Sequence, residues 1–265
     1  MGGEHRFGRQ AVIAFGCALL LSGCSSSATP ASSSNPTLAS ATPREVWSVA
    51  ALGDSVPRGT NCGCTPYPQL TASYMTASDR REVKATNDAV GGFTSTDVVR
   101  QLRSDSGVIS DVANADVVEI EIGANDVAYS GSCGTTVACY QPMISSTERN
   151  LDQIVARIRQ LTEGRPIQLI LLDYWSVWLG GQYADAEGPV YVDAVASVTD
   201  QVNTVIKRTA ADTDSGYVDL RAIFKGPDYG SDETPYLASD GDHPNAAGHQ
   251  KIAAAVIDVV SQSLH

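Results

Sequence analysis

Short apolar runs alternate with helical periodicities along most of the chain. Each run is rich in Val and Ile, is bounded by Gly, Pro or Asn, and predicts a buried strand. The runs are Trp47–Leu52, Val83–Thr86, Asp116–Ile122, Ile167–Asp173 and Tyr217–Leu220. Helical spacing of apolar residues predicts helices over Pro68–Thr76, Thr96–Arg103, Ser145–Leu161, Pro189–Ala211 and Ala246–Leu264. This alternation predicts an α/β fold: a single three-layer domain with a mostly parallel five-stranded sheet and helices on both faces.

The first 44 residues differ in composition from the rest of the chain. Arg6 and Arg9 precede an apolar stretch, Ala11–Leu21, which has the length of a signal peptide and is short for a membrane span. The residues that follow, Leu21-Ser22-Gly23-Cys24, resemble the bacterial lipobox. We therefore expect residues 1–23 to be a lipoprotein signal peptide and Cys24 to carry the lipid. A plain secretory leader that is cleaved elsewhere is the alternative.

Residues 25–43 are rich in Ser, Ala, Thr and Pro and contain no charged residue. Such a segment cannot bury enough apolar surface to offset the entropy lost on ordering. We expect residues 24–44 to form the lipidated end and a flexible tether, and residues 45–265 to form the folded domain. The protein is then exported, anchored to the cell membrane by lipid, faces away from the cytoplasm and is a monomer.

Composition narrows the classes of partner. The formal net charge is −12 and the pI is about 4.6. Nucleic-acid binding depends on Lys and Arg that neutralise phosphates, so we expect no nucleic-acid partner. Electrostatic adhesion to anionic lipid is disfavoured for the same reason. Any membrane attachment must therefore come from the lipid anchor.

Four cysteines remain after the predicted processing: Cys62, Cys64, Cys133 and Cys139. An even number in an exported protein predicts disulfides, for which three connectivities exist. A local Cys133–Cys139 bridge is expected. A Cys62–Cys64 bridge would close an unusually tight ring, so cross-pairing between the two loops stays open. The spacings do not match the usual zinc pairs, and we expect no metal and no cofactor.

A serine and a late histidine carry the candidate chemistry. Ser55 follows the first predicted strand, and His243 lies near the other end of the chain, three residues after Asp240. A serine hydroxyl is a weak nucleophile until an imidazole takes its proton, and the imidazole must itself be oriented by a third group. The residues at these positions therefore suit nucleophilic acyl transfer. Asp242 competes with Asp240 for the orienting role.

Four sequence blocks occur in order, each beside a predicted strand or helix. They are Gly53-Asp54-Ser55-Val56-Pro57-Arg58-Gly59, Asn87-Asp88-Ala89-Val90-Gly91-Gly92-Phe93-Thr94, Gly123-Ala124-Asn125-Asp126 and Asp240-Gly241-Asp242-His243-Pro244. Together they resemble the SGNH (GDSL-type) hydrolase family, over the chain from Val46 to the C-terminus. The resemblance implies an SGNH/flavodoxin-like fold and an ester-hydrolysing enzyme.

The resemblance also implies roles for individual residues. Ser55 matches the nucleophile, His243 the general base and Asp240 its orienting carboxylate. Gly92 through its backbone N–H and Asn125 through its side-chain amide match oxyanion donors, with the backbone N–H of Ser55 as a third. Fixed donors of this kind stabilise the negative charge of a tetrahedral intermediate.

Four of these residues also have a purely structural interpretation. Ser55 could cap a short helix, Asn125 could form a turn after a strand, and Gly92 could serve a turn. His243 could simply end a loop and precede a helix. His249 falls inside the last predicted helix, where capping or packing is its expected role. His243 is then the one well-placed base.

The function expected from the sequence is a surface-anchored serine esterase that acts on small-molecule or glycan esters with short acyl groups. A lipase, a lysophospholipase or an acyltransferase could use the same site. A binding lipoprotein that has lost turnover is the alternative from another class. Aromatic residues between Tyr174 and Tyr183 could line the substrate cleft or lie in the core.

Overall fold

Five strands form one sheet in the computed structural model, which describes residues 46–79 and 81–262. The predicted leader, Cys24 and the tether lie outside the described residues. The strands, in chain order, are β1 (Val46–Gly53), β2 (Glu82–Asn87), β3 (Val117–Glu121), β4 (Gln168–Leu172) and β5 (Gly216–Val218). Their order in the sheet is β2-β1-β3-β4-β5, and every pairing is parallel. The predicted fold class is confirmed.

Helices cover both faces of this sheet. They are α1 (Ser55–Arg58), α2 (Tyr67–Asp79), α3 (Ser95–Ser104), α4 (Ser106–Asn114), α5 (Gln141–Leu161), α6 (Gly181–Ala186), α7 (Pro189–Asp212), α8 (Leu220–Lys225) and α9 (Ala246–Gln262). α2 packs on α9, whereas α5 packs between α3 and α7. The chain moves from β1 to β2 in one direction and from β3 to β5 in the other, so right-handed crossovers put these two groups on opposite faces. Within the described residues, none of the helices is both long and apolar enough to cross a bilayer.

The sequence missed the short helices and misplaced one strand end. The fifth strand, predicted to run to Leu220, ends at Val218 because Leu220 begins α8. The Asp219 carboxylate accepts a hydrogen bond from the backbone N–H of Ala222 and caps that helix. Asp105 caps α4 in the same way, through the N–H groups of Gly107 and Val108. Side-chain caps of this kind start helices too short to show a clear periodicity.

Two glutamates lie fully buried on β3, the central strand. Glu119 and Glu121 are both 0% exposed and point to the same side of the sheet. Burial raises the pKa of Glu119 to about 8, with the Thr71 hydroxyl acting in the opposite direction. Burial also raises the pKa of Glu121 well above its ordinary value. In both side chains, burial therefore favours the neutral acid over the carboxylate.

Glu119 is expected to make the stability of the fold depend on pH. Its pKa in the folded state, about 8, exceeds its ordinary value of 4.5, so the stability that it contributes is present below pH 4.5 and is lost as pH rises to 8. Glu119→Gln should remove a slope of about 1.4 kcal/mol per pH unit in the free energy of unfolding over that window. Chemical denaturation at pH 5.5, 6.5 and 7.5 measures the slope. The exposed Glu163→Gln is the matched control, and an unchanged slope in Glu119→Gln would contradict the assignment.

Candidate active site

Ser55 lies at the carboxyl end of β1, where the chain turns sharply into α1. Gly53 has a φ of 146°, and a Cβ atom there would collide with the Glu121 carbonyl oxygen, so the turn requires glycine. The Asp54 carboxylate caps α1 by accepting from the N–H of Val56 at 3.1 Å. Ser55 is thereby the first residue of a one-turn helix and is half-buried. It lies at the point where the strand order of the sheet reverses, which is where open α/β sheets bind ligands.

His243 and Asp240 lie together in the loop before α9. The Asp240 Oδ2 atom is 2.7 Å from His243 Nδ1, and Asp240 Oδ1 accepts from the backbone N–H of His243 at 3.1 Å. Burial alone would raise the pKa of Asp240, but hydrogen bonds from Asn61 and from the His243 backbone lower it to about 2. Asp240 therefore stays ionised and holds the Nδ1 side of the imidazole, which leaves Nε2 for chemistry.

Asp242, the competing carboxylate, takes a different position. Its Oδ2 atom is 3.9 Å from His243 Nδ1, beyond hydrogen-bond range, and half of its side chain is exposed. The geometry thus favours Asp240 as the orienting residue.

Asn125 lies in a short 3₁₀ helix, Ala124–Val127, directly after β3. Its Nδ2 atom donates to the carbonyl of Phe93 at 3.0 Å, which occupies one of the two amide protons and leaves the other available. The next residue, Asp126, accepts hydrogen bonds from the backbone N–H and the hydroxyl of Ser95. The loop after β3 is therefore tied to the loop that contains Gly92.

Gly92 lies in the loop between β2 and α3 with a φ of 82°. It is exposed and lies outside the set of described residues that line the cleft around Ser55. Its neighbour Gly91 comes close to the serine, because a Cβ atom on Gly91 would lie 4.0 Å from Ser55 Cβ. The loop thus borders Ser55 at Gly91.

A cleft of about 340 Å³ joins these residues. Ser55, Asn125 and His243 all line it. Of the described residues in its wall, none is Lys or Arg, and the carboxyl groups are those of Asp54, Glu187 and Asp242. The site is therefore acidic.

The aromatic segment after β4 is both core and cleft wall. Tyr174, Trp175 and Trp178 are at most 4% exposed, yet all three line the cleft. Trp178 packs against Tyr129 and Tyr191, with ring centroids 5.1 and 5.5 Å away, and its Nε1 donates to the carbonyl of Val127 at 2.7 Å. The sequence left open whether this segment lines the cleft or lies in the core, and the structure shows that it does both.

Sequence reasoning missed a buried hydrogen bond behind the serine. The Tyr174 hydroxyl donates to Asp54 Oδ2 at 2.6 Å. Burial raises the pKa of Asp54 to about 6, whereas the bonds from Tyr174 and Val56 act to lower it. The residue before Ser55 is thus fixed by a side chain from the segment after β4. In the sequence, the one sign of this hydrogen bond was the position of Asp54 beside Ser55.

The other residues singled out in the sequence lie outside the described wall of the cleft. His249 is buried and accepts from the N–H of Tyr67 at 3.2 Å, which caps the start of α2. Cys133 is bonded to Cys139, the expected local bridge, and Cys62 is bonded to Cys64. Atoms of Cys62, Cys64 and His249 lie within 4.8 Å of one another, but the bridge occupies both sulfurs.

Comparison with known proteins agrees with this fold. The structure resembles that of the lipase Lip_vut3 from a goat rumen metagenome, with a TM-score of 0.62 at 18% identity over 80% of this chain and 97% of that one. It also resembles a catalytic mutant of an acetylxylan esterase from Geobacillus stearothermophilus, with a TM-score of 0.58 at 21% identity over 81% and 94% of the two chains. TesA gives a TM-score of 0.54 at 17% identity over 81% and 98%. No curated protein matches the chain.

The fold and the cleft, together with a match of residues 51–251 to a family model, define an ester-hydrolysing serine hydrolase. The model is that of the GDSL-like lipase/acylhydrolase family, and the chain belongs to that family.

Proposed function

We propose that this protein is a serine esterase, anchored by lipid outside the cytoplasm, that hydrolyses short-chain carboxylic esters with Ser55, His243 and Asp240. One observation carries the assignment of residues: Ser55 and His243 line the same cleft, and the Asp240 carboxylate is 2.7 Å from His243 Nδ1. That arrangement supports His243 as a general base whose Nε2 atom acts on the Ser55 hydroxyl.

The reaction then proceeds in two halves. Ser55 Oγ attacks the ester carbonyl while His243 Nε2 takes its proton, and Asp240 stabilises the imidazolium. The negative charge on the former carbonyl oxygen is stabilised by donors from Asn125 and Gly92 and by the N–H of Ser55. The intermediate collapses, His243 protonates the leaving alcohol, and an acyl-enzyme remains. Water, deprotonated by His243, attacks the acyl group, and Ser55 is regenerated as the acid leaves.

The charge of the cleft supports neutral esters as substrates. Asp54, Glu187 and Asp242 contribute carboxyl groups, and the described residues of the wall supply no Lys or Arg. A phosphate-bearing lipid would meet like charge and no cationic partner there. Acetylated glycans of the cell envelope and small exogenous esters fit this character better. The structurally similar acetylxylan esterase from Geobacillus stearothermophilus gives support to a glycan ester.

A series of 4-nitrophenyl esters from acetyl to dodecanoyl, assayed with the full chain, tests the function. We expect kcat/KM to be highest for acetyl to butyryl. Enzymes that act on aggregated lipid use an exposed apolar surface, whereas Tyr174, Trp175 and Trp178 are buried. A rate that climbs steadily to the dodecanoyl ester would favour a lipase. Failure to hydrolyse any member would favour a binding lipoprotein.

The membrane anchor has its own test. Cys24→Ala should move the protein out of the membrane fraction or block its processing, with kcat unchanged for the protein that is recovered. The reason is that several acyl chains on one cysteine anchor stably, whereas the tether contains no candidate catalytic group. Metabolic labelling with a fatty-acid analogue, followed by fractionation, measures both. Label that persists in Cys24→Ala would refute the anchor.

A further inference from the structure

A side chain from the nucleophile loop reaches the carboxylate behind His243. Asn61 Nδ2 donates to Asp240 Oδ2, across 179 positions of sequence. That same oxygen lies 2.7 Å from His243 Nδ1. The other oxygen, Oδ1, accepts at 3.1 Å from the backbone N–H groups of Asp242 and His243. Asp240 is thus held by its own loop on one oxygen, and by Asn61 together with His243 on the other.

The backbone fixes Asn61 in place. Its φ of 56° lies in the left-handed region, which asparagine tolerates better than most residues. The N–H of Thr60 donates to the carbonyl of Ser55 at 3.0 Å, so the preceding residue is tied to the serine itself. Directly after Asn61, the Cys62–Cys64 bridge closes the chain on itself. The loop that starts at Ser55 therefore delivers the Asn61 amide to Asp240.

We propose that Asn61 is a positioning residue of the reaction, which holds the Asp240 carboxylate against His243 and ties the nucleophile loop to the acid–base loop. The inference rests on the proposed function. Asn61 lies outside the described residues that line the cleft, and its side chain contacts Asp240, so we place its action there. Its loss should lower kcat and leave KM nearly unchanged, because the imidazole loses orientation while the cleft keeps its shape.

A double-mutant cycle isolates this role. Asn61→Gly removes the amide and relaxes the left-handed backbone, and it should lower kcat about tenfold, the size expected for a hydrogen bond to a charged group. Asp240→Asn should lower kcat further. The double variant should match Asp240→Asn alone, because Asn61 has then lost the carboxylate through which it acts. Multiplicative losses in the double variant, or an unchanged kcat in Asn61→Gly, would overturn the proposal.

Asp214→Gly is the matched control. Asp214 is exposed, has a φ of 50° and lies in the turn before β5, away from the cleft. The Asp214→Gly variant relaxes a left-handed backbone in the same way as Asn61→Gly, and its kcat should equal that of the wild type. A loss in Asp214→Gly equal to that in Asn61→Gly would attribute the effect to the glycine alone and overturn the role of the amide.

A second readout is independent of turnover. The proton on His243 Nδ1, shared with Asp240, should give a low-field NMR resonance that is broadened or lost in Asn61→Gly and retained in Asp214→Gly. Retention in Asn61→Gly would refute the positioning role even if the wild type is an active esterase. Loss of the resonance in Asn61→Gly, combined with a wild type that hydrolyses no ester, would support the positioning role and count against the proposed function alone.

Discussion

Replacing Ser55 with alanine is expected to lower kcat by on the order of 10³-fold or more, while the fold stays intact. In the proposed mechanism, alanine removes the oxygen that attacks the ester. Ser55 is half-buried in a turn that is capped by the Asp54 carboxylate and held by backbone hydrogen bonds, so the turn should survive. Initial rates with 4-nitrophenyl acetate and a circular dichroism spectrum measure the two expectations. Retained activity with an unchanged spectrum would contradict the assignment of Ser55 as the nucleophile.

His243→Ala should cause a loss of similar size, and the double variant should be little worse than either single. In the proposed mechanism the two side chains act on one proton, so the second removal should cause little further loss. Losses that multiply in the double variant would mean that Ser55 and His243 do not act as a unit. Ser73→Ala, on the exposed face of α2, is the control for a serine outside the cleft.

The fold was predictable because its strands leave a strong local signal. All five strands occur at the predicted runs, since a parallel sheet covered on both faces requires short, continuous apolar segments. The location of Ser55, Asn125 and Gly92 after strands was predictable for a related reason. Each follows a strand, and the carboxyl ends of parallel strands meet at one edge of the sheet.

Contacts between distant loops were beyond the reach of the sequence. The bond from Tyr174 to Asp54 spans 120 positions, and the bond from Asn61 to Asp240 spans 179. Neither has a periodicity or a motif, because both arise only when packing brings two loops to the same place. Which partner each polar group finds therefore depends on the assembled structure.

Glu119 shows a different limit of prediction from the sequence. Polar residues that alternate with Val and Ile along β3 would ordinarily indicate a strand with one solvated face. Here α2 and α9 cover the side to which both glutamates point, so that Glu119 is buried beside Thr71 of α2. The alternating pattern indicates that both glutamates point to the same side of the sheet. Their burial, however, depends on the helices that pack over that side.

Asn125→Ala is expected to lower kcat by about 10²–10³-fold with a smaller effect on KM, because an oxyanion donor matters most when charge forms on the carbonyl oxygen. The Asn125 amide has one proton bonded to the Phe93 carbonyl, which aims the other without a charge of its own. Steady-state kinetics on acetyl and butyryl esters measure the two constants. Thermal unfolding shows whether loss of the Phe93 contact loosens the loop.

A structural effect on that loop and a catalytic effect are separated by measuring kcat, KM and the melting temperature on the same Asn125→Ala variant. A change confined to KM would instead place Asn125 in ground-state binding. If Asn125→Ala instead lowers the melting temperature enough to unfold the protein under assay conditions, the loss of rate would reflect the lost bond to Phe93 and not a catalytic role of Asn125. A large loss of kcat at an unchanged melting temperature is the outcome that the geometry of this cleft predicts.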